Sequence, residues 1–163
     1  MRIELIVLSA TLLGTLITIF LLNAAVNSRV RGKLSDNMAP LSLEIFKSVL
    51  FIIAGLHIAT ADAAIRSLSS FVSPIENTSH WLGLTSIFIG LSMLTLLLNL
   101  WFSVMMYTVV SAGRGISFEL ASGNYGAVIQ VSSILIAMTI ATKPGLAAVL
   151  NYVIPYPKSP LFH

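Results

Sequence analysis

The stretch from Asp36 to Ile65 opens with Asp36-Asn37-Met38-Ala39-Pro40 and then becomes a long apolar segment, which contains four ionisable residues. They are Glu44, Lys47, His57 and Asp62, and every other side chain of this segment that can reach bilayer depth is apolar, hydroxyl or amide. An ionisable side chain inside a membrane is costly, at roughly 2.5–3.5 kcal/mol for Lys or Asp at the centre of a helix. These four residues are therefore the first candidates for chemistry or for ion movement.

Helical spacing limits what the charged residues can do together. Glu44 and Asp62 are five helical turns apart, about 27 Å along the axis, so they share a face but mark opposite ends of a span. Glu44 and Lys47 are spaced i, i+3, which predicts an ion pair or a lysine that snorkels to the headgroups. The alternative is a charged site that faces a partner helix, a lipid phosphate or a water-filled path.

His57 is the deepest ionisable residue of the segment. It lies about 140° around the helix from Asp62, so the two do not pair directly. We expect a neutral histidine that is hydrogen-bonded to another helix, and the alternatives are a proton carrier or a metal or haem ligand shared with another subunit. His80 and His163 lie at an interface and at the terminus, so no cofactor is predicted within this chain alone. We find no nucleophile–base constellation and no metal-ligand spacing.

Composition places the chain in a membrane. Of its 163 residues 56% are hydrophobic and only 9% are charged, whereas about a quarter are charged in soluble domains. There is no cysteine, which excludes disulfides and thiolate metal sites. No basic run with interleaved aromatic residues suggests nucleic-acid binding.

Four segments are long enough to cross a bilayer, which takes roughly 20 apolar residues. The prediction is an all-α fold, a single domain over residues 1–163 with transmembrane helices at about 3–26, 41–65, 81–111 and 125–142. The tripeptide Lys143-Pro144-Gly145 should end the fourth helix and leave a short interfacial helix over about 145–154. The first apolar run is longer than that of a signal peptide, so we expect a retained helix, with cleavage near Ala24 as the alternative.

Small and polar side chains recur at helical spacing, which lets helices approach closely. The first helix carries Thr11, Gly14, Thr15, Thr18 and Ala25; the third carries Thr85, Ser92, Thr95, Asn99 and Ser103; the fourth carries Gly126, Gln130, Ser133, Ala137 and Ala141. We expect Asn99 and Gln130 to face each other across the third and fourth helices. The first loop holds Arg29, Arg31 and Lys33, which predicts a cytoplasmic loop that meets anionic lipid headgroups or a cytosolic partner.

Two stretches that precede helices echo each other. Asp36-Asn37-Met38-Ala39 leads into the second helix, and Gly123-Asn124-Tyr125-Gly126-Ala127 leads into the fourth. Asparagine is a favourable N-cap, so two independent caps explain the echo; the alternative is a duplicated helical hairpin. With Ile116-Ser117-Phe118-Glu119 before the second copy, the pattern resembles YjfL-like bacterial inner-membrane proteins, a domain of unknown function with four helices built as two hairpins. The resemblance implies the fold and the inner membrane, and it brings no established activity.

These features predict a non-catalytic integral membrane subunit that packs into a larger complex or a homo-oligomer. Its expected partners are other membrane subunits and lipids, because little of the chain lies outside the membrane and several helices carry packing stripes. The first alternative is a small ion or proton channel or transporter lined by the second helix. The second alternative is a redox or metal-binding membrane subunit that uses His57.

Overall fold

A computed structural model describes residues 2–30 and 40–155 of the chain. Its helices are α1 (Arg2–Val30), α2 (Leu41–Ser69), α3 (Thr78–Val110), α4 (Ile116–Ala121) and α5 (Tyr125–Val153). The helices α1, α2, α3 and α5 are long and apolar enough to span a membrane, so the prediction of an all-α fold with four transmembrane helices is confirmed. At 1.5 Å per residue each is at least about 42 Å long, so each is tilted or extends beyond a hydrocarbon core of about 30 Å.

The C-terminal half of the bundle differs from the prediction. The helix α5 continues through Pro144 to Val153, so neither the predicted helix end at this proline nor a separate short helix over about 145–154 is present. Pro144 faces outward and removes one backbone donor, which transmembrane helices tolerate. Beyond it Leu146 and Leu150 are buried in a cluster with Ile65 and Trp81, and this packing outweighs the local preference for a break.

The helix α4 occupies part of the predicted loop and is docked against the end of the bundle. The hydroxyl of Ser42 on α2 donates to the carbonyl oxygen of Leu120 at 2.8 Å. The buried Glu119 carboxylate accepts from Nδ2 of Asn124 at 2.6 Å. These two hydrogen bonds fix α4 to the beginnings of α2 and α5.

The two similar stretches that precede α2 and α5 differ in how they cap their helices. Asn124 is the N-cap of α5, and its side chain accepts from the backbone N–H of Ala127. The N-cap of α2 is Pro40, which makes no side-chain capping bond, and Asn37 lies outside the described residues. The capping role is therefore established for the second copy alone.

Two apolar clusters fill the bundle and meet near its middle. The α4-side core includes Leu50 and Ala54 of α2 with Leu135 of α5. The opposite core begins at Ala61 of α2 and Leu146 of α5. On α2 and α5 the boundary between the two cores therefore lies around His57 and Thr142. Polar side chains at this level separate the two cores.

The helix α1 packs mainly on α2 and contacts α3 at few positions. One of these contacts is at Gly14, where an added Cβ would lie 2.9 Å from Cδ1 of Ile89 on α3. The small-residue stripe of the first helix thus serves a close helix approach at this position.

Candidate polar sites in the membrane helices

A layer of three polar side chains joins α2, α3 and α5 inside the bundle. Nδ2 of Asn99 donates to Oγ1 of Thr142 at 2.8 Å and lies 3.3 Å from Nε2 of His57. Nδ1 of His57 lies 3.1 Å from the carbonyl oxygen of Ile53, one turn earlier on α2. His57 and Asn99 are only 3% and 2% exposed, so the contacts of this polar layer are internal to the chain.

The hydrogen-bond network assigns one tautomer to His57. A carbonyl oxygen only accepts, so Nδ1 carries the hydrogen toward Ile53 and Nε2 accepts from the Asn99 amide. Thr142 donates to the carbonyl oxygen of Met138 at 2.9 Å, which leaves its oxygen free to accept from Asn99. The arrangement is self-consistent with a neutral imidazole, and a metal ion at His57 would have to displace one of its two partners. Among the described residues, no group of three His, Asp or Glu side chains is placed to hold a metal ion.

The polar layer replaces the contact that the sequence predicts between Asn99 and Gln130. Gln130 is exposed and lies twelve residues, about 18 Å along α5, from Thr142. The whole predicted stripe of the fourth helix is exposed: Gly126, Gln130, Ser133, Ala137 and Ala141. The buried face is offset from it, and includes Ala127, Val128, Val131, Leu135 and Thr139.

The third helix follows its predicted stripe. Thr85, Ser92, Asn99 and Ser103 are buried, and Thr95 is half-buried. Ser103 donates to the carbonyl oxygen of Asn99 at 2.7 Å, whereas the hydroxyls of Thr85 and Ser92 have no hydrogen-bond partner among the described residues. Among the described residues of this stripe, Asn99 is the one whose side chain forms hydrogen bonds with two other helices, α2 and α5.

The charged residues of α2 form local pairs at its two ends. Nζ of Lys47 lies 2.8 Å from Oε1 of Glu44, which is the ion pair that the i, i+3 spacing predicts. Nε of Arg66 lies 2.7 Å from Oδ2 of Asp62, so Asp62 is paired one turn away and does not reach His57. The Lys47 side chain is 10% exposed and the Glu44 side chain is 52% exposed, so the lysine points inward and the carboxylate outward.

An open groove of about 690 Å³ runs between α1 and α2 on the outside of the bundle. We call it the α1–α2 groove, and its lining residues are Leu16, Ile19, Phe20, Asn23, Asn27, Glu44, Lys47 and Phe51. Nδ2 of Asn27 donates to Oδ1 of Asn23 at 3.2 Å. The groove therefore combines a carboxylate, an ammonium group and two amides with an apolar wall.

One of the predicted lipid-headgroup residues, Arg29, lies at the same end of the bundle as the α1–α2 groove. Arg29 lies in the last turn of α1 and is exposed, whereas Arg31 and Lys33 lie outside the described residues. Asn23 and Thr142 are the functional candidates that the sequence reasoning missed. The signal for Asn23 was an amide within the long apolar run of the first helix, and Thr142 lies where the sequence predicts the end of the fourth helix.

No family model, curated protein or solved structure matches the chain.

Proposed function

We propose that the protein is a non-catalytic integral membrane subunit that associates with another transmembrane subunit through the α1–α2 groove. The observation that carries this proposal is the set of polar side chains on the outer surface of two membrane-spanning helices, Glu44 with Asn23 and Asn27. Glu44 lies in the first turn of α2, within reach of the headgroups, but Asn23 lies seven residues, about 10 Å, inside the end of α1, where lipid chains offer no hydrogen bonds. A helix of another subunit supplies them, and each interhelical polar contact contributes on the order of 1 kcal/mol.

The simplest partner is a second copy of the chain. The α1–α2 groove presents both donors and acceptors, because Lys47 and the two amides donate while Glu44 and the amide oxygens accept. A surface of this kind is complementary to itself. In a two-fold dimer the same patch meets its own copy, so Glu44 of one protomer lies against the amides of the other.

The channel and redox alternatives receive less support from the geometry. Both ring nitrogens of His57 have partners within the chain, and the carboxylates Glu44 and Asp62 are held in local pairs at the ends of α2. A flux assay in liposomes distinguishes the channel from the non-catalytic subunit. We expect no ion flux from the wild type. Flux in the wild type that is lost in Glu44→Gln or His57→Ala variants would support the channel instead.

The four candidate spans make this a multi-pass membrane protein. We further propose the bacterial inner membrane, with the basic first loop in the cytoplasm, on the resemblance to YjfL-like proteins and on the positive charges near the end of α1. Partition of the tagged protein between inner and outer membrane fractions tests the first part of this proposal.

Site-specific photo-crosslinking in intact membranes tests the association. A photo-reactive residue at Phe20 lies in the α1–α2 groove, and the matched control at Ile136 is an exposed apolar position on α5. Both positions are about 15 Å from the end of their helix nearest α4. We expect a covalent dimer from position 20 and none from position 136.

The other outcomes of the crosslinking experiment decide the identity of the partner and whether the groove is an association surface. A product with a different membrane protein, specific to position 20, would keep the subunit proposal and replace the second copy as partner. Products with lipid alone at both positions would refute association through this groove.

A further inference from the structure

A second cavity lies between α1, α3 and α4, on a different face of α1 from the groove. Its volume is about 340 Å³. The helices α1 and α3 touch at Gly14 and Ile89 and leave this space between their later turns, so we call it the wedge cavity. Its wall is mainly apolar and includes Leu22, Val26, Phe46, Leu97, Leu100 and Trp101.

The depth of the wedge cavity matches one leaflet of a bilayer. On α3 its lining runs from Leu97 to Thr108, eleven residues or about 16 Å along the helix. Half of a hydrocarbon core is about 15 Å. A chain that enters between α1 and α3 can therefore extend along the wall without leaving its leaflet.

One cation lies at the polar end of the wedge cavity. Arg29 is part of the lining and stands in the last turn of α1. Among the residues that the structure describes, none forms an ion pair or a hydrogen bond with the Arg29 side chain. A guanidinium that has no partner among the described residues and lies beside an apolar cavity matches a phosphate or carboxylate, which it can bind through two parallel hydrogen bonds.

We propose that the wedge cavity binds one acyl chain of an anionic lipid, whose phosphate is held by Arg29. The volume lies in the range of small-ligand sites and is too small for a transmembrane helix, whose diameter with side chains is about 10–12 Å. A lipid reaches the site laterally from its own leaflet. This lipid site goes beyond the proposed subunit role, and its lining residues differ from those of the α1–α2 groove. The lipid-site proposal and the association proposal can therefore be refuted independently.

Fluorescence of Trp101 provides a direct readout. The chain has two tryptophans; Trp81 is 1% exposed in the opposite core, and Trp101 lines the cavity and is 55% exposed. In a Trp81→Phe background we would reconstitute the protein with small mole fractions of brominated phosphatidylglycerol or brominated phosphatidylcholine. We expect saturable quenching by the anionic lipid at about fivefold lower mole fraction than by the zwitterionic lipid.

Two pairs of variants isolate the site. Arg29→Gln should remove the difference between the headgroups, whereas Arg66→Gln, an exposed arginine at the other end of the bundle, should keep it. Ala25→Phe fills the cavity from its lining and should abolish saturable quenching. The neighbouring exposed Ala24 is not part of that lining, so Ala24→Phe should leave the quenching unchanged.

Equal, non-saturating quenching by both lipids would show that Trp101 meets bulk lipid alone and would overturn the proposal. Native mass spectrometry of the wild type, without the Trp81→Phe change, gives an independent measurement. We expect one retained phosphatidylglycerol per protomer, lost in Arg29→Gln and kept in Arg66→Gln. Retention that is the same in both variants would also overturn it.

Discussion

The polar layer and the α1–α2 groove are both sets of polar side chains on membrane-spanning helices, and they differ in what covers them. In the polar layer His57 and Asn99 are closed off by three helices, and their described hydrogen bonds stay within the chain. In the groove Glu44 has Lys47 on one side and an open surface on the other. The hydrogen bonds of the polar layer lie within a single chain, whereas the groove leaves Glu44 half-exposed at the surface.

This difference separates stability from association. A polar group with internal partners contributes to the fold, and its loss leaves other buried groups without partners. A polar group on the outer surface contributes little to the folded monomer, because its gain comes when a second helix covers it. Variants in the polar layer should therefore lower the free energy of unfolding, whereas variants in the groove should weaken the dimer and leave the stability of the monomer nearly unchanged.

The largest effect on stability is expected from Asn99→Ala. The change leaves Nε2 of His57 without its donor and opens a space between α2, α3 and α5, so the free energy of unfolding should fall by about 2 kcal/mol. Unfolding in mixed micelles with increasing SDS measures it. Asn151→Ala removes an exposed amide on α5 and is the matched control; an equal loss in both variants would remove the special role of the layer.

The next effect concerns association. Asn23→Ala deletes an amide of the groove and should weaken the dimer about fivefold, by about 1 kcal/mol, while the unfolding free energy of the monomer changes by less than about 0.5 kcal/mol. Energy transfer between labelled copies at varied dilution in lipid measures the affinity. Gln130→Ala, an exposed amide on α5 outside the groove, should leave the affinity unchanged, and a similar loss there would argue against a specific surface.

Double-mutant cycles compare one pair from each region. The coupling free energy of His57 with Asn99 should be about 1 kcal/mol, because both side chains are buried. The coupling of Glu44 with Lys47 in the monomer should be at most about 0.5 kcal/mol, because the carboxylate is half-exposed and the pair is local. Unfolding of the single and double alanine variants gives both values, and the reverse order would contradict the distinction between the two regions.

The smallest effect is expected from Ser92→Ala. Ser92 lies on the same buried face of α3 two turns from Asn99, but its hydroxyl has no hydrogen-bond partner in the part of the chain that the structure describes. Its removal should leave the unfolding free energy unchanged or raise it by up to about 0.5 kcal/mol. A clear loss of stability would mean that this hydroxyl has a partner after all, such as a buried water.

The sequence predicted the spans and the polar stripe of α3, since hydropathy and seven-residue spacing are local signals. It did not predict which face of α5 is buried. Lipid-facing and core-facing positions of α5 are equally apolar. The residue types on the predicted stripe through Gln130 and on the buried face through Thr139 are therefore too similar to show which face is buried. Continuation through Pro144 was also missed, because it depends on the burial of Leu146 and Leu150 against other helices.

The polar contacts also divide into those that the sequence predicts and those that it does not. The Glu44–Lys47 pair lies within one helix and follows from spacing alone. The contacts of His57 with Asn99 and of Asn99 with Thr142 join residues more than forty positions apart. No local rule selects such partners, because their meeting depends on the register of three packed helices.

The dependence of the SDS unfolding midpoint on the protein-to-lipid ratio tests the central distinction most directly. A folded dimer is stabilised by mass action, so the wild-type midpoint should rise with this ratio. Asn23→Ala should keep the low-ratio midpoint and move the rise to an about fivefold higher ratio, whereas Asn99→Ala should have a lower midpoint at every ratio and keep the rise where it is in the wild type. A wild-type midpoint that is independent of the ratio, or the same response from both variants, would contradict the account.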